Sequence, residues 1–158
     1  MNFHKSYTVN EATSRMERYC IYQERCHKEV RQKLKEMEMV PSDIDQIISN
    51  LIQEDFLNET RFAQTFVKGK FNQKKWGIYR IKRELSFRNI SDYNIELALK
   101  QVSKTDYIST FHDLAEKRFV QLSNEKDLQK KRKKLTDYLL YRGWESNLVY
   151  EKVRDLIK

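Results

Sequence analysis

Apolar positions in this chain recur in one register three times. Val30, Leu34, Met39, Ile44, Ile48 and Leu51 form the first set. Ile81, Leu85, Ile90, Ile95, Leu99 and Val102 form the second, and Leu135, Leu139, Trp144, Val149, Val153 and Leu156 the third. Offsets from the first member are 0, 4, 9, 14, 18 and 21 in every set, so the copies superpose without a gap. Steps of three and four place side chains on one face of a helix, and the two steps of five mark a turn between two helices. A repeat of ~50 residues is one structural unit used three times.

Local signals place a further helix ahead of each pair. Thr8, three residues before Glu11, forms a capping box that starts a helix, and Met16, Tyr19, Cys20 and Gln23 continue it to about Arg25. The second helix is expected from about Lys28 to Met37. Pro41 suits the first turn of the next, where its missing N–H has no partner to lose. Ile44, Ile47, Ile48, Leu51 and Ile52 form that helix's apolar stripe. Phe62, Ala63, Phe66 and Val67, and later Phe111, Leu114, Ala115 and Phe119, mark the leading helices of the second and third copies. Gly77 interrupts the pattern before Ile78, and Ser91 is a good N-cap. Asn89 and Gly143 hold equivalent places in two of the inter-helix turns, where a left-handed residue is expected; Glu38, at that place in the first copy, suits it less well. No strand-like alternation competes. The chain reads as all-α, with three tandem three-helix (helix–turn–helix-like) repeats: a tail over 1–9, then 10–57, 58–104 and 105–158.

Composition sharpens this picture. The 158 residues contain only 3 Gly and 1 Pro, which favours long helices. Each unit alone would bury too little apolar surface to be stable, so shared interfaces are expected. No apolar run approaches a membrane span, and no apolar leader suggests export, so a cytoplasmic location is expected. Cys20 and Cys26 have the wrong spacing for a zinc pair and read as free thiols.

Charge divides the chain. Residues 1–60 carry 8 basic and 11 acidic side chains, whereas residues 61–158 carry 23 and 12. A basic field of that size attracts polyanions. Within it, Lys68, Lys70, Lys74, Lys75, Arg80, Lys82, Arg83 and Arg88 are interleaved with Phe71, Trp76, Tyr79 and Phe87. Cations can displace counterions from phosphates while aromatics stack on bases. The alternative is that the aromatics are core and the charges a solvated helix face. The run Lys130, Lys131, Arg132, Lys133 and Lys134, with Arg142 beyond it, carries the same two readings. Nothing resembles a base-reading helix with Asn or Gln beside Arg, so little sequence specificity is expected. The third helices carry Asp43 and Asp45, or Asp92 and Glu96, and would be repelled from a phosphate-lined groove.

Catalytic signals are nearly absent. His4, His27 and His112 stand in no metal-binding or nucleophile-activating pattern, and there is no phosphate-cradling glycine loop. Glu54, Asp55 and Glu59 could hold Mg²⁺ in a small nuclease, but they fit better as an acidic linker at a helix N-terminus. No catalytic residue, metal or cofactor is expected.

The segment from Leu51 to Ala63, with its acidic linker and Arg61-Phe62-Ala63 triplet, followed by Gly77, Arg80-Ile81, Leu85 and the turn Arg88-Asn89-Ile90, resembles the RecX family of recombinase regulators. Asn89 and Glu38 stand where that family usually has Gly, and Asn58 where Asp is common. The resemblance implies tandem three-helix repeats in an elongated, curved right-handed array. It also implies a non-enzymatic modulator that lies along the helical groove of the RecA–DNA filament and restrains recombinase, ATPase and coprotease activity in DNA repair and the SOS response. Its expected partners are the RecA filament and, weakly and without specificity, single- or double-stranded DNA; the protein is expected to be a monomer without membrane contact. The fourteen cations named above are the expected contact face, with Lys74, Lys75, Arg80, Arg83 and Arg88 foremost. The alternative function is a non-sequence-specific nucleic-acid-binding module with no protein target.

Overall fold

A computed structural model describes residues 6–158. Residues 1–5, including His4 and most of the expected tail, lie outside the described residues. Among the described residues there are nine α-helices and no strand: α1 (Val9–Tyr22), α2 (His27–Glu36), α3 (Pro41–Gln53), α4 (Glu59–Lys74), α5 (Ile78–Phe87), α6 (Asp92–Leu99), α7 (Lys104–Gln121), α8 (Leu128–Tyr141) and α9 (Ser146–Leu156). Every helix pair with substantial packing belongs to one trio, α1–α3, α4–α6 or α7–α9.

The repeat explains the trios. Of the 18 repeat positions, 14 are buried, and Met39, Leu99, Val102 and Leu156 pack partly buried against the same cores. The three inter-helix turns are built alike. Glu38 (φ 61°), Asn89 (φ 61°) and Gly143 (φ 95°) are all left-handed. In each turn the next residue's N–H reaches back five positions, as from Ile90 to Leu85 at 3.1 Å, and the left-handed residue's N–H reaches back three. This is the Schellman arrangement, which satisfies the last carbonyls of a helix. Glu38 adopts it although it lacks glycine's freedom, because the buried positions on either side fix the turn's length. Asp55 (φ 61°) ends α3 in the same way.

Two local expectations are corrected. Ile52 is 44% exposed, not part of the α3 stripe; it lies ~80° round the helix from Ile44, at the edge of the buried arc. Helix α1 stops at Tyr22, before Arg25. The Arg25 side chain folds back, donating to the Tyr19 carbonyl at 3.0 Å and covering the Tyr19 ring at 3.7 Å. It thereby satisfies a carbonyl that the helix end leaves open. Elsewhere local chemistry matches: the Thr8–Glu11 capping box forms, Pro41 opens α3, and Ser91 accepts the Asn94 N–H at 3.2 Å.

The three units share core unequally. The first has its own cluster, centred on Met16, Leu34, Ile44, Ile47 and Leu51. The second and third share one continuous cluster, which also takes in Cys26 from the first unit's α1–α2 connection. Phe71, Tyr107, Trp144 and Phe111 run through it as a chain of rings with centroids 4.6–6.0 Å apart.

Candidate polyanion-binding surface

The surface of interest surrounds the seam between the second and third units. Two glycines make that seam. The Gly77 N–H donates to the Arg142 carbonyl at 2.8 Å, and the Tyr79 N–H to the Gly143 carbonyl at 3.1 Å. A Cβ on Gly77 would lie 2.5 Å from the Gly143 oxygen, and one on Gly143 would lie 2.3 Å from Arg80 Cβ. The backbones of the α4–α5 and α8–α9 turns therefore touch with no room for a side chain. Side chains close the rest. Arg142 donates to the Lys74 carbonyl at 2.7 Å and the Trp144 indole N–H to the Lys75 carbonyl at 3.1 Å, so the open C-terminus of α4 is capped from the third unit. The Tyr107 hydroxyl accepts the first N–H of α5, from Ile78, at 2.9 Å and donates to Glu145. Burial, then the Glu145 hydrogen bond, pushes its pKa far up, so it remains a neutral donor.

The first unit joins the second differently. Arg61 donates to Glu24 at 2.6 Å, to the Asp55 carboxylate at 3.0 Å and to the Asp55 carbonyl at 2.9 Å. Its pKa is raised, first by the Glu24 hydrogen bond. Arg88 lies 3.8 Å from Glu29 and 2.9 Å from Glu84 and covers the Phe66 ring. Lys28 donates to the Phe87 carbonyl at 2.6 Å. A cleft of about 400 Å³ remains beside this joint, lined by Gly69 and by Glu24, Glu29, Lys70, Lys74 and Arg88 among others.

Against this frame the fourteen expected contact cations divide. Arg80 is half-buried, its guanidinium 4.1 Å from the Trp76 ring and 4.6 Å from the Tyr141 ring, and it donates to the Tyr141 carbonyl. Arg142 and Arg88 are seam residues as described. Lys70 lies over Phe66 and Trp76, Lys131 over Phe119, and Arg132 donates to the Ile157 carbonyl. Lys82 pairs with Glu96, Lys133 with Asp137 and Lys134 with Glu125. The Lys134 hydrogen bond lowers the Glu125 pKa. Lys130 is exposed in the field of the same Glu125. Lys68, Lys74, Lys75 and Arg83 are exposed and have no side-chain partner among the described residues. All four belong to the second unit.

The aromatic residues of the basic segment divide as well. Phe71 is buried and Trp76 is packed against the core, whereas Tyr79 and Phe87 are exposed. Sequence reasoning missed Tyr107, Glu145 and Tyr141 as seam residues, and took Gly77 for a helix break and Gly143 for a turn residue only. That two of the 3 glycines fall in the turns that precede α5 and α9 was the one signal available.

The acidic linker is occupied structurally. Asp55 accepts from Arg61 and Asn58, and Glu59 accepts from Ser91 at 3.1 Å and from Asn94. Asn58 caps α4 by accepting the Arg61 N–H at 2.9 Å. Among the described residues, no group of three or more His, Cys, Asp or Glu side chains could hold a metal, and no helix is long and apolar enough to cross a membrane. Cys20 and Cys26 are free, buried thiols in different core clusters.

Comparison with known proteins gives this architecture its relatives. Family models of RecX match in two places, the second three-helix domain at residues 58–99 and the third at residues 105–153. The regulatory protein RecX of Clostridium acetobutylicum is 32% identical over 132 residues, which span 82% of this chain and 61% of that protein. Its counterpart in Streptococcus agalactiae is 27% identical, over 87% of this chain and 52% of that protein. The chain thus spans between half and two thirds of the length of these relatives. The counterpart in Chlorobium phaeobacteroides is 31% identical, over 85% of this chain and 86% of that protein. The crystal structure of RecX from Lactobacillus salivarius superposes with a TM-score of 0.76 at 26% identity, covering 94% of this chain and 96% of that one. With a three-helix repeat, matched second and third domains and a relative covered almost end to end, this chain belongs to the RecX family of regulatory proteins.

Proposed function

We propose that this protein regulates the RecA recombinase by binding the RecA–DNA filament and restraining its recombinase, ATPase and coprotease activities, and so regulates recombinational DNA repair and the SOS response. It acts by binding, as a cytoplasmic monomer, and not as an enzyme. The observation that carries the reading, beyond family membership, is the group of unpartnered cations Lys68, Lys74, Lys75 and Arg83 on a firmly joined pair of units. A filament offers acidic protein surface and phosphates at fixed spacing, and a rigid body that meets several weak sites at once gains through effective concentration. The first unit, net acidic, faces a basic part of a neighbouring protomer in this arrangement. Lys74, Lys75 and Arg83 are the foremost contacts. Arg80, Arg88 and Arg142 contribute through the seams they hold, and Lys130 to Lys134 add to the long-range field.

The exposed Tyr79, four residues beyond the free Lys75, and the exposed Phe87 favour one other reading, a general nucleic-acid-binding module with no protein target. Affinity for single-stranded DNA alone, compared with the same DNA coated by the cognate RecA and a non-hydrolysable ATP analogue at ~150 mM salt, separates the two. Filament regulation predicts much tighter binding to the coated DNA, and RecA ATP turnover then gives the sign of the effect. Equal affinity for both would leave only the general module. The triple reversal Lys74→Glu, Lys75→Glu, Arg83→Glu is expected to weaken filament binding at least tenfold, or about 1.4 kcal/mol; unchanged binding would remove this face from the interface.

A further inference from the structure

The seam carries a layered stack that ends in solvent. Trp76, packed against the core, supports the Arg80 guanidinium at 4.1 Å, and Arg80 in turn supports the Tyr141 ring at 4.6 Å. Arg80 Nε is buried without an acceptor and Nη1 donates to the Tyr141 carbonyl at 3.3 Å, so this cation is held by the seam it stacks in. Tyr141 itself is 72% exposed. Its ring is held from beneath while most of its surface is open to water. One bond away in the seam, the Tyr79 N–H is fixed to the Gly143 carbonyl, and the Tyr79 side chain is 59% exposed. The unpartnered Lys74 and Lys75 end α4 at the same seam, their carbonyls fixed by Arg142 and Trp144, and Arg83 lies one helical turn beyond Tyr79 on α5.

We infer that this seam is a binding site for single-stranded nucleic acid, in which an unpaired base stacks on Tyr141 and the flanking phosphates meet Lys74 and Lys75. A base is the flat group that continues the Trp76–Arg80–Tyr141 stack and arrives with anions attached, which matches an open ring beside unpaired lysines. Bases in a duplex already stack on one another, so only an unpaired strand presents a free face. Because the ring is already immobilised by Arg80, little side-chain freedom is lost on binding. Tyr79, with Arg83 a turn away, offers a second base and phosphate position on the same path. The inference rests on the reading of the second and third units as the polyanion-facing surface, and adds to it that the bases, and not the phosphates alone, are engaged.

Fluorescence anisotropy with a labelled oligothymidylate of ~15 nucleotides, and with a blunt duplex of the same length, tests the site. The variants are Tyr141→Leu, Tyr141→Phe and, as an exposed tyrosine outside the stack, Tyr150→Leu. Tyr141→Leu is expected to weaken oligothymidylate binding about tenfold, with Tyr141→Phe and Tyr150→Leu within twofold of the unmodified protein and duplex binding unchanged throughout. Tyr79→Leu is expected to give a smaller loss of the same selectivity. Wild-type affinity in Tyr141→Leu, an equal loss for duplex, or no binding of the oligothymidylate by the unmodified protein would overturn the inference. An equal loss in the Leu and Phe variants would do the same, by pointing to the hydroxyl. Binding to RecA-coated DNA, measured in parallel, keeps the two readings apart. Preference for coated DNA with a silent Tyr141→Leu leaves filament regulation standing and removes the stacking site; the opposite pair of results does the reverse.

Discussion

The three glycines make a controlled experiment on what joins the units. Gly77→Ala places a methyl 2.5–2.6 Å from the Gly143 carbonyl and the Trp144 nitrogen, all backbone atoms that no rotamer change can move. The two turns must separate, which stretches the hydrogen bonds of 2.8 Å from Gly77 to Arg142 and 3.1 Å from Tyr79 to Gly143. Losing two partly buried backbone hydrogen bonds costs about 2 kcal/mol, and the forced displacement adds roughly 1–3 kcal/mol, for a total of about 3–5 kcal/mol. Gly143→Ala meets Arg80 at 2.3 Å and must also hold φ +95°, adding about 1 kcal/mol. Gly69→Ala has nothing within 4 Å and lies inside α4, so it is expected to stabilise by about 0.5–1 kcal/mol. Urea unfolding followed by the fluorescence of Trp76 and Trp144, which lie at the seam, reads all three variants. The expected order of stability is Gly69→Ala, the unmodified protein, Gly77→Ala, Gly143→Ala. A Gly77→Ala protein as stable as the unmodified one, or a Gly69→Ala protein destabilised as far as Gly77→Ala, would refute the account of the seam.

Other perturbations probe the first joint, the thiols and the left-handed positions. Arg61→Ala leaves Glu24, which already has one buried oxygen without a partner, without the cation hydrogen-bonded to it; with solvent screening, a loss of about 1–2 kcal/mol in urea unfolding is expected, and an unchanged midpoint would contradict it. Burial pushes the Cys20 thiol up to about 11, so the folded chain keeps a proton that the unfolded chain releases at its ordinary, lower pKa. Its contribution is complete below about pH 8.5 and is lost as pH rises toward 11. Thermal unfolding between pH 8 and 10.5 should therefore fall less in Cys20→Ala than in the unmodified protein, and parallel curves would exclude the effect. Lys75 sits at φ 58°, where glycine is at ease. Lys75→Gly should raise stability by up to about 1 kcal/mol while weakening polyanion binding, and a binding isotherm unchanged beside a raised melting temperature would show that the side chain has no part in the surface.

What the sequence made legible was what repeats along it. The spacing of Val30 to Leu51 and its two copies located six of the helices, because core burial acts on each helix through its own periodicity. Thr8, Pro41 and Ser91 were readable for the same reason, since a cap is completed within one turn of its own helix. The seams were not readable, because they depend on residues far apart in the chain. Gly77 meets Arg142 and Gly143, and Tyr107 meets both Ile78 and Glu145, but nothing in the local pattern at any of these positions names its partner. Glu38 shows the limit from the other side: its own preference argues against a left-handed turn, and the buried residues on either side prevail. The basic segment was legible as a charge excess only. Which cations it leaves free depends on where Glu84, Glu96, Tyr141 and the α4 carbonyls come to lie.

The two joints follow from the same charge asymmetry that divides the chain. Between the acidic first unit and the basic second, opposite charges are at hand, and Arg61, Arg88 and Lys28 make the contact with Glu24, Glu29 and backbone oxygens. Between the second and third units both partners are net basic, and no ion pair joins them among the described residues; the join is made by a shared apolar core, two backbone hydrogen bonds through Gly77 and Gly143, and cations engaged by rings and carbonyls. Partly exposed ion pairs weaken as salt rises, whereas buried apolar area and backbone contacts do not. Raising salt should therefore loosen the first joint before the second, and the cleft beside Gly69 should open to solvent while the Tyr141 stack stays in place. Hydrogen exchange at rising salt reads this directly: faster exchange around residues 24–29 with constant protection at Gly77 and Tyr79 is the expected pattern, and uniform protection across both joints would show that charge does not hold the first one.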